Sequence, residues 1–354
     1  MSKFWSKVVH TLTPYIPGEQ PKLNNLIKLN TNENPYGPSS KVINVIKQFS
    51  DDTLRLYPDP NSEALKKMIA DYFKVNINNI FVGNGSDEVL AIAFQALLKH
   101  DRPILFPDIT YSFYPAYCKL YEIDFKIIPL NESFEIALEG YLAPNGGVIF
   151  PNPNAPTGIP LPLNQIEKFL KKNNDSLLIV DEAYVDFGTE SAVHLTQKYY
   201  NLLVTHSFSK SRALAGLRLG YAIGHQDLIE ALIRVKDSFN SYPIDRLALV
   251  AGIESFKDDL YFKNICQKVI ATKLKFVNEL ASLNFLVLPS GANFVFAKHL
   301  SKDGKLIVSE LREHGIVVRR FDKPVRISSY IRFTIGSDDE MDTLLKTLKL
   351  ILSA

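Results

Sequence analysis

The sequence predicts an α/β fold in which a large domain built on a mainly parallel sheet carries a smaller α+β domain. Three observations predict it. Between residues 63 and 225, six short apolar runs alternate with stretches of helical periodicity. From Pro243 onward, long amphipathic stretches are followed by four more apolar runs separated by helical segments. And 354 residues exceed what one small domain holds, so a large unit and a smaller one sharing a cleft are expected.

Taken in order, Phe4, Trp5, Val8, Val9 and Leu12 recur on one side of a short helix that Pro14 and Pro17 then break, and such an arm must pack on something. The stretch Asn30-Thr-Asn-Glu-Asn-Pro-Tyr-Gly-Pro is turn-rich, with amides and fixed proline dihedrals that suit an ordered loop. The strands of the large domain are Ile80-Phe-Val, Pro103-Ile-Leu-Phe, Phe125-Lys-Ile-Ile, Val148-Ile-Phe, Leu177-Leu-Ile-Val and Asn201-Leu-Leu-Val. They are apolar on both faces, as strands are when helices cover both sides of a parallel sheet, and a site then belongs in the loops at their carboxyl ends. The smaller domain has Phe285-Leu-Val-Leu, Asn293-Phe-Val-Phe, Gly315-Ile-Val-Val and Tyr330-Ile-Arg-Phe-Thr-Ile.

Composition excludes several classes. An apolar fraction of 46% and a charged fraction of 22% are those of an ordinary globular protein, and a net charge of +2 gives no basic excess for nucleic acid or a membrane surface. Cys118 and Cys266 have no CxxC spacing and cannot build a metal cluster alone, so no metal is expected. The first residues lack the apolar core of a secretory signal and no apolar run reaches membrane-spanning length, so a cytoplasmic location is expected.

The chemistry sits after two of the strands. Leu177-Leu-Ile-Val ends in Asp181-Glu-Ala-Tyr184, an acid and a phenol just past a buried strand. Asn201-Leu-Leu-Val leads into Thr205-His-Ser-Phe-Ser-Lys210, with Gly216-Leu-Arg218-Leu-Gly220 close behind. Pyridoxal phosphate needs this set: a lysine amine to hold it covalently, a carboxylate to keep its pyridine nitrogen protonated, and hydroxyls, amides and arginine for its phosphate. Alone, Lys210 reads as a solvated lysine, Asp181 as a cap and Arg218 as a surface ion pair; together they read as a site. Val82-Gly-Asn-Gly-Ser-Asp-Glu88 before an apolar helix adds a second anion cradle, where the amides of Ser86 and Asp87 stand at the helix start; by itself it reads as a glycine turn with a cap.

With these pieces in order, the chain resembles the aspartate-aminotransferase-like, fold type I pyridoxal-phosphate enzymes, and within them is similar to the histidinol-phosphate aminotransferases. The resemblance runs nearly end to end, through Pro17-Gly-Glu-Gln, Leu29-Asn-Thr-Asn-Glu-Asn-Pro-Tyr-Gly-Pro-Ser39, Leu56-Tyr-Pro-Asp-Pro60, Gly83-Asn-Gly-Ser-Asp-Glu88, Thr110-Tyr-Ser-Phe-Tyr114, Asn152-Pro-Asn-Ala-Pro-Thr-Gly158, the two segments around Asp181 and Lys210, and Ile331-Arg-Phe-Thr-Ile-Gly336. It implies a seven-stranded large-domain sheet, with residues 1–48 an arm and part of the small domain, 49–255 the large domain and 256–354 the rest of the small one. It also implies that Lys210 is covalent anchor and proton carrier, that Asp181 pairs with the ring nitrogen, that Tyr111 stacks on the ring and that Tyr184 bonds its 3′-oxygen. Ser207, Ser209 and Arg218 would take the phosphate with the Ser86 and Asp87 amides, and Tyr57 would reach it from the partner of a homodimer.

The same resemblance makes Arg332 the arginine for the substrate's anion, assisted by Arg319, with Asn34 closing over the ligand. Arg319 and Arg320 are adjacent, and on a strand they face opposite ways, so one of them is an ordinary exposed arginine. One departure stands out. Relatives carry asparagine immediately before Pro-Thr-Gly to bond the 3′-oxygen, whereas this chain has Ala155; either Asn154 substitutes, or Tyr184 and a water suffice. The implied reaction is ping-pong transamination of histidinol phosphate with 2-oxoglutarate. Rival readings are transamination of phenylalanine or tyrosine, decarboxylation of threonine phosphate, a coenzyme-binding protein without catalysis, and an α/β protein without the coenzyme.

Overall fold

The computed structural model describes residues 2–16, 18–20 and 26–353. Among these residues twelve strands fall in chain order: β1 (Ile27–Leu29), β2 (Ile80–Asn84), β3 (Ile104–Pro107), β4 (Phe125–Ile128), β5 (Val148–Pro151), β6 (Leu178–Asp181), β7 (Leu202–Ser207), β8 (Leu219–Gly224), β9 (Phe285–Val287), β10 (Phe294–His299), β11 (Ile316–Arg320) and β12 (Ile331–Thr334). β2 to β8 form a seven-stranded sheet in the order β2-β8-β7-β6-β5-β3-β4, parallel except for β8, which runs against both neighbours. The expected mainly parallel sheet is therefore present.

Its strands show why both faces had to be apolar. Along β5, β6 and β7 the side chains alternate between two cores: Val148, Phe150, Leu178, Val180, Leu202 and Val204 enter one, while Ile149, Ile179 and Leu203 enter the other. Successive residues of a strand point to opposite faces, and helices close both. Each such residue, fully removed from water, contributes about 1.5–3 kcal/mol.

The second sheet has the order β1-β11-β12-β10-β9, antiparallel except for the pairing of β1 with β11, and has its own core. The long helix Asp259–Ser282 buries Cys266, Val269, Lys273, Phe276 and Leu280. Lys273 is the exception on that stripe. Burial draws its pKa down to about 8, but its amine donates to the carbonyls of Phe187, Ser290 and Ala292 at 2.8–3.0 Å. These bonds tie the loop that follows Tyr184 to the segment entering β10.

At the amino end, a helix forms at Lys7–Thr11, and none of its residues is buried. Phe4, Trp5 and Val9 are exposed and Val8 and Leu12 only partly buried, so the described residues leave most of the expected apolar stripe uncovered. Pro17, which was to end the helix, lies outside the described residues. No helix among the described residues is long and apolar enough to cross a membrane.

Candidate active site

β5, β6 and β7 are parallel neighbours, and register sets Pro151 beside Asp181 and Asp181 beside Thr205. Their carboxyl ends open into a cavity of about 530 Å³. Asp181 is buried in its wall and accepts from Tyr114 Oη at 3.1 Å and from Thr205 Oγ1 at 3.2 Å. Burial raises its pKa to about 6; the two hydroxyls oppose the rise and the nearby Asp87 charge adds to it. Because this lies above the ordinary 3.8, the ligand-free folded chain holds the proton more tightly than the unfolded chain. The stability so gained, on the order of 3 kcal/mol, is present below the unfolded value and lost as pH rises through about 6. Thermal melts of the ligand-free chain should show wild type losing ground to Asp181→Asn between about pH 4 and pH 7, and parallel melts at all pH values would refute the shift.

Lys210 follows β7 by three residues; its amine donates to the Thr31 carbonyl at 3.0 Å and lies 5.8 Å from the centre of the Tyr184 ring. Both residues line the cavity. Ser207 and Ser209, buried at the end of β7, line it too, and the Ser209 amide donates to Ser207 Oγ at 3.1 Å.

The second cradle forms where helix Gly85–Leu97 begins against β8. Gly85 has φ +81°, and a Cβ there would lie 2.7 Å from the Arg218 guanidinium; at Gly220 a Cβ would lie 2.4 Å from the Ser86 amide nitrogen. Only glycine lets the strand and the helix start approach this closely. Arg218 itself takes a left-handed backbone, φ 52°, which aims its guanidinium at Asp87 Oδ2, 3.0 Å away, and Ser209 Oγ, 3.4 Å away. Tyr111 Oη donates to the other Asp87 oxygen at 2.8 Å, and burial beside that carboxylate holds the phenol well above its usual pKa.

The second sheet contributes the cations. Arg319 on β11 is paired in register with Arg332 on β12, and both line the cavity with Phe321, which lies 5.5 Å from each guanidinium carbon. Arg332 Nη2 donates to the Asn30 carbonyl at 2.8 Å, while its Nε is buried with no partner among the described residues. Burial and then Arg319 draw its pKa down, and Tyr184, Tyr15 and Glu33 oppose this. Arg320 turns the other way, donating to the Ser328 carbonyl at 2.8 Å and pairing with Asp322. Of the two adjacent arginines it is Arg319 that faces the cavity.

Three of the named residues do not border this chain's cavity, one of them, Tyr57, a residue expected to act from a partner. Asn34 is not at the cavity: its amide donates to the carbonyls of Lys210 and Ser211 at 3.0 and 3.3 Å, bracing the lysine's backbone. Asn154 donates to the Ile109 carbonyl and Thr157 Oγ1, and the side chain bordering the cavity is that of Ala155. So Asn154 does not swing in to replace the missing asparagine. Tyr57 is exposed on the surface, stacked on Tyr242 with centroids 4.6 Å apart, and does not border this chain's own cavity.

Other lining residues escaped sequence reasoning. Tyr15, Gly18 and Gln20 come from the arm, and Asn32 and Glu33 from the loop after β1. Glu33 is paired with Lys28 and Thr31. Asn32 takes a left-handed φ of 59° and donates to Tyr184 Oη at 3.1 Å. A short polar residue able to adopt that backbone inside a turn-rich motif was the one available signal. No group of three His, Cys, Asp or Glu among the described residues is arranged to hold a metal ion.

Comparison with known proteins places this geometry. A protein of Thiobacillus denitrificans named histidinol-phosphate aminotransferase 2 is 58% identical over 348 residues, 98% of this chain and 98% of its own length. One of Pseudomonas aeruginosa named histidinol-phosphate aminotransferase 1 is 57% identical over 98% of this chain and 99% of its own. The solved structure of histidinol-phosphate aminotransferase from Sinorhizobium meliloti, in complex with pyridoxal-5′-phosphate, superposes with a TM-score of 0.90 over 100% of this chain and 98% of that one; at 24% identity that likeness is one of fold. The family described as aminotransferase class I and II matches residues 24–348, and with such relatives over nearly its whole length, the chain belongs to the class I and II aminotransferase family.

Proposed function

We propose that the chain transaminates L-histidinol phosphate with 2-oxoglutarate, giving 3-(imidazol-4-yl)-2-oxopropyl phosphate and glutamate, with pyridoxal phosphate as coenzyme and Lys210 as its anchor. The observation that carries this reading is the presence in one cavity of a lysine amine, a buried carboxylate and a paired set of guanidiniums, in a chain more than half identical to relatives of that name. The donor set fits the coenzyme. Ser207, Ser209, Arg218 and the Ser86 and Asp87 amides suit a phosphate, the Gly85 and Gly220 positions leave no room there for a Cβ, and Tyr111 offers a flat aromatic wall.

When bound, pyridoxal phosphate supplies a protonated ring that takes up the electron pair left as a bond to the substrate's amino-bearing carbon breaks. The protein's part is to hold and move protons and to orient. Asp181, which burial makes reluctant to ionise, gains from a cationic partner and keeps the ring nitrogen protonated. Lys210, once its amine is released by substrate, carries the proton between neighbouring carbons as general acid and base. Arg332, with a buried Nε that lacks a partner among the described residues, and Arg319 beside it suit the phosphate of one substrate and the α-carboxylate of the other.

A homodimer is part of this reading. Tyr57, exposed and paired with Tyr242, would complete the phosphate site of the partner, and the uncovered arm would be buried against it. The aromatic walls Tyr15, Tyr111 and Phe321 favour a second reading, primary specificity for phenylalanine or tyrosine. Rapid mixing separates the two: the bound coenzyme's visible absorption should fade faster with histidinol phosphate than with phenylalanine. The reverse order would move the enzyme to aromatic amino acids, and a coenzyme-supplemented protein with no visible band would overturn the assignment of the coenzyme.

A further inference from the structure

We propose that Asn32 is a positioning residue that fixes the direction of the Tyr184 phenol proton, and so supplies the control that the missing asparagine at position 155 cannot. The proposal rests on the reading above of a pyridoxal-phosphate enzyme, together with the role that the family resemblance implies for Tyr184, donation to the coenzyme's 3′-oxygen.

Four hydrogen bonds define Asn32. It is buried, with a relative exposure of 1%, at the end of the short link from β1. Its backbone amide donates to Thr334 Oγ1 at 3.1 Å, and its carbonyl accepts from Asn293 Nδ2 at 3.0 Å. The Thr334 hydroxyl is buried, and Asn32 Oδ1, 2.9 Å away, is the acceptor for its proton among the described residues. That bond assigns the side-chain amide: the oxygen faces Thr334, so the NH₂ faces Tyr184, 3.1 Å away.

The consequence is one of polarity. A phenol oxygen that accepts from an amide cannot also turn its proton toward that amide. The Tyr184 O–H therefore points away from Asn32, into the cavity that Tyr184 lines, and accepting one bond makes it a stronger donor in the next. Ala155, which packs beside Tyr184, presents only a methyl group, and the Asn154 amide is spent on the Ile109 carbonyl and Thr157. The side-chain amide that reaches Tyr184 comes instead from the other sheet's loop, held by β12 through Thr334.

The test is spectroscopic. A donor on the 3′-oxygen draws negative charge away from the neighbouring protonated nitrogen of the lysine link; losing that donor lets this nitrogen keep its proton to higher pH. In coenzyme-loaded protein, Tyr184→Phe should therefore raise the pH midpoint of the visible band. Asn32→Gly deletes the amide while tolerating the left-handed backbone, and should raise the midpoint in the same direction by about half to one pH unit. In the Tyr184→Phe background, Asn32→Gly should add nothing. Thr334→Val, which frees the amide to rotate without touching the cavity wall, should give a smaller rise and stands in if the glycine variant does not fold. The proposal is overturned if the foldable variant of the two leaves the midpoint at the wild-type value, or if Asn32→Gly shifts it equally with and without the phenol. If Tyr184→Phe itself has no effect, the reading of Tyr184 fails first.

Discussion

Replacing Lys210 by alanine is expected to lower kcat by about four orders of magnitude or more, because in the proposed reaction one amine serves both as covalent anchor and as proton carrier. Lys210→Arg should be no better. A guanidinium is never deprotonated in a protein and so can neither form the link nor accept a proton. The two functions separate in the measurement: borohydride reduction followed by mass spectrometry should find the coenzyme on Lys210 in the wild type and nowhere in the alanine variant. The noncovalent contacts around Ser209 and Arg218 remain in the variant, so coenzyme should still co-purify. A variant retaining more than about a hundredth of wild-type kcat would remove Lys210 from the proton transfer.

The second large effect belongs to Arg332. Its loss removes charge-assisted bonds to the substrate anion, on the order of 3 kcal/mol or about a hundredfold in kcat/KM. Because one guanidinium is held to serve a phosphate and a carboxylate, Arg332→Ala should weaken both half-reactions, with histidinol phosphate and with glutamate. A loss confined to one substrate would show that the two anions use different sites. Arg320→Ala is the control, since its guanidinium is occupied by Ser328 and Asp322 away from the cavity, and it should leave kcat/KM unchanged.

That contrast shows where the sequence was readable. The ten expected strands are present; all but β4, an edge strand with no fully buried residue, bury side chains on one face or both, and burial is written in side-chain type. β8 escaped because Leu219-Gly-Tyr-Ala-Ile-Gly is bracketed by glycines that look like loop; the glycine is there for close approach to the Ser86 amide, not for a turn. β1 escaped because three residues beside a turn-rich motif carry no period. Arg319 and Arg320 could be said to face opposite ways but not which faced the cavity, since that parity is fixed by pairing of Arg319 with Arg332, a contact between distant strands. The Asn32 and Asn34 pair fails in the same manner: the motif contains both, and only the backbone at Asn32 and its bonds to Thr334 select which one meets the cavity. Lys273 did leave a trace, as a lone cation on the apolar stripe of its helix.

The bonds between residues 30–32 and 332–334 also bear on how the enzyme is made. Asn30 meets Arg332, and Asn32 meets Thr334, each pair 302 positions apart in the sequence. During synthesis, β6 and β7 with Asp181, Ser207 and the following Lys210 are made well before β12, which bears Arg332, and the early loop waits for a partner far along the chain. Contacts of such long sequence separation form late and slowly. A chain ending before Ile331 would retain every group proposed for the coenzyme but lack Arg332, the arginine proposed for its substrates. On the proposed reading, activity thus reports on translation through β12 in a way that coenzyme colour alone does not.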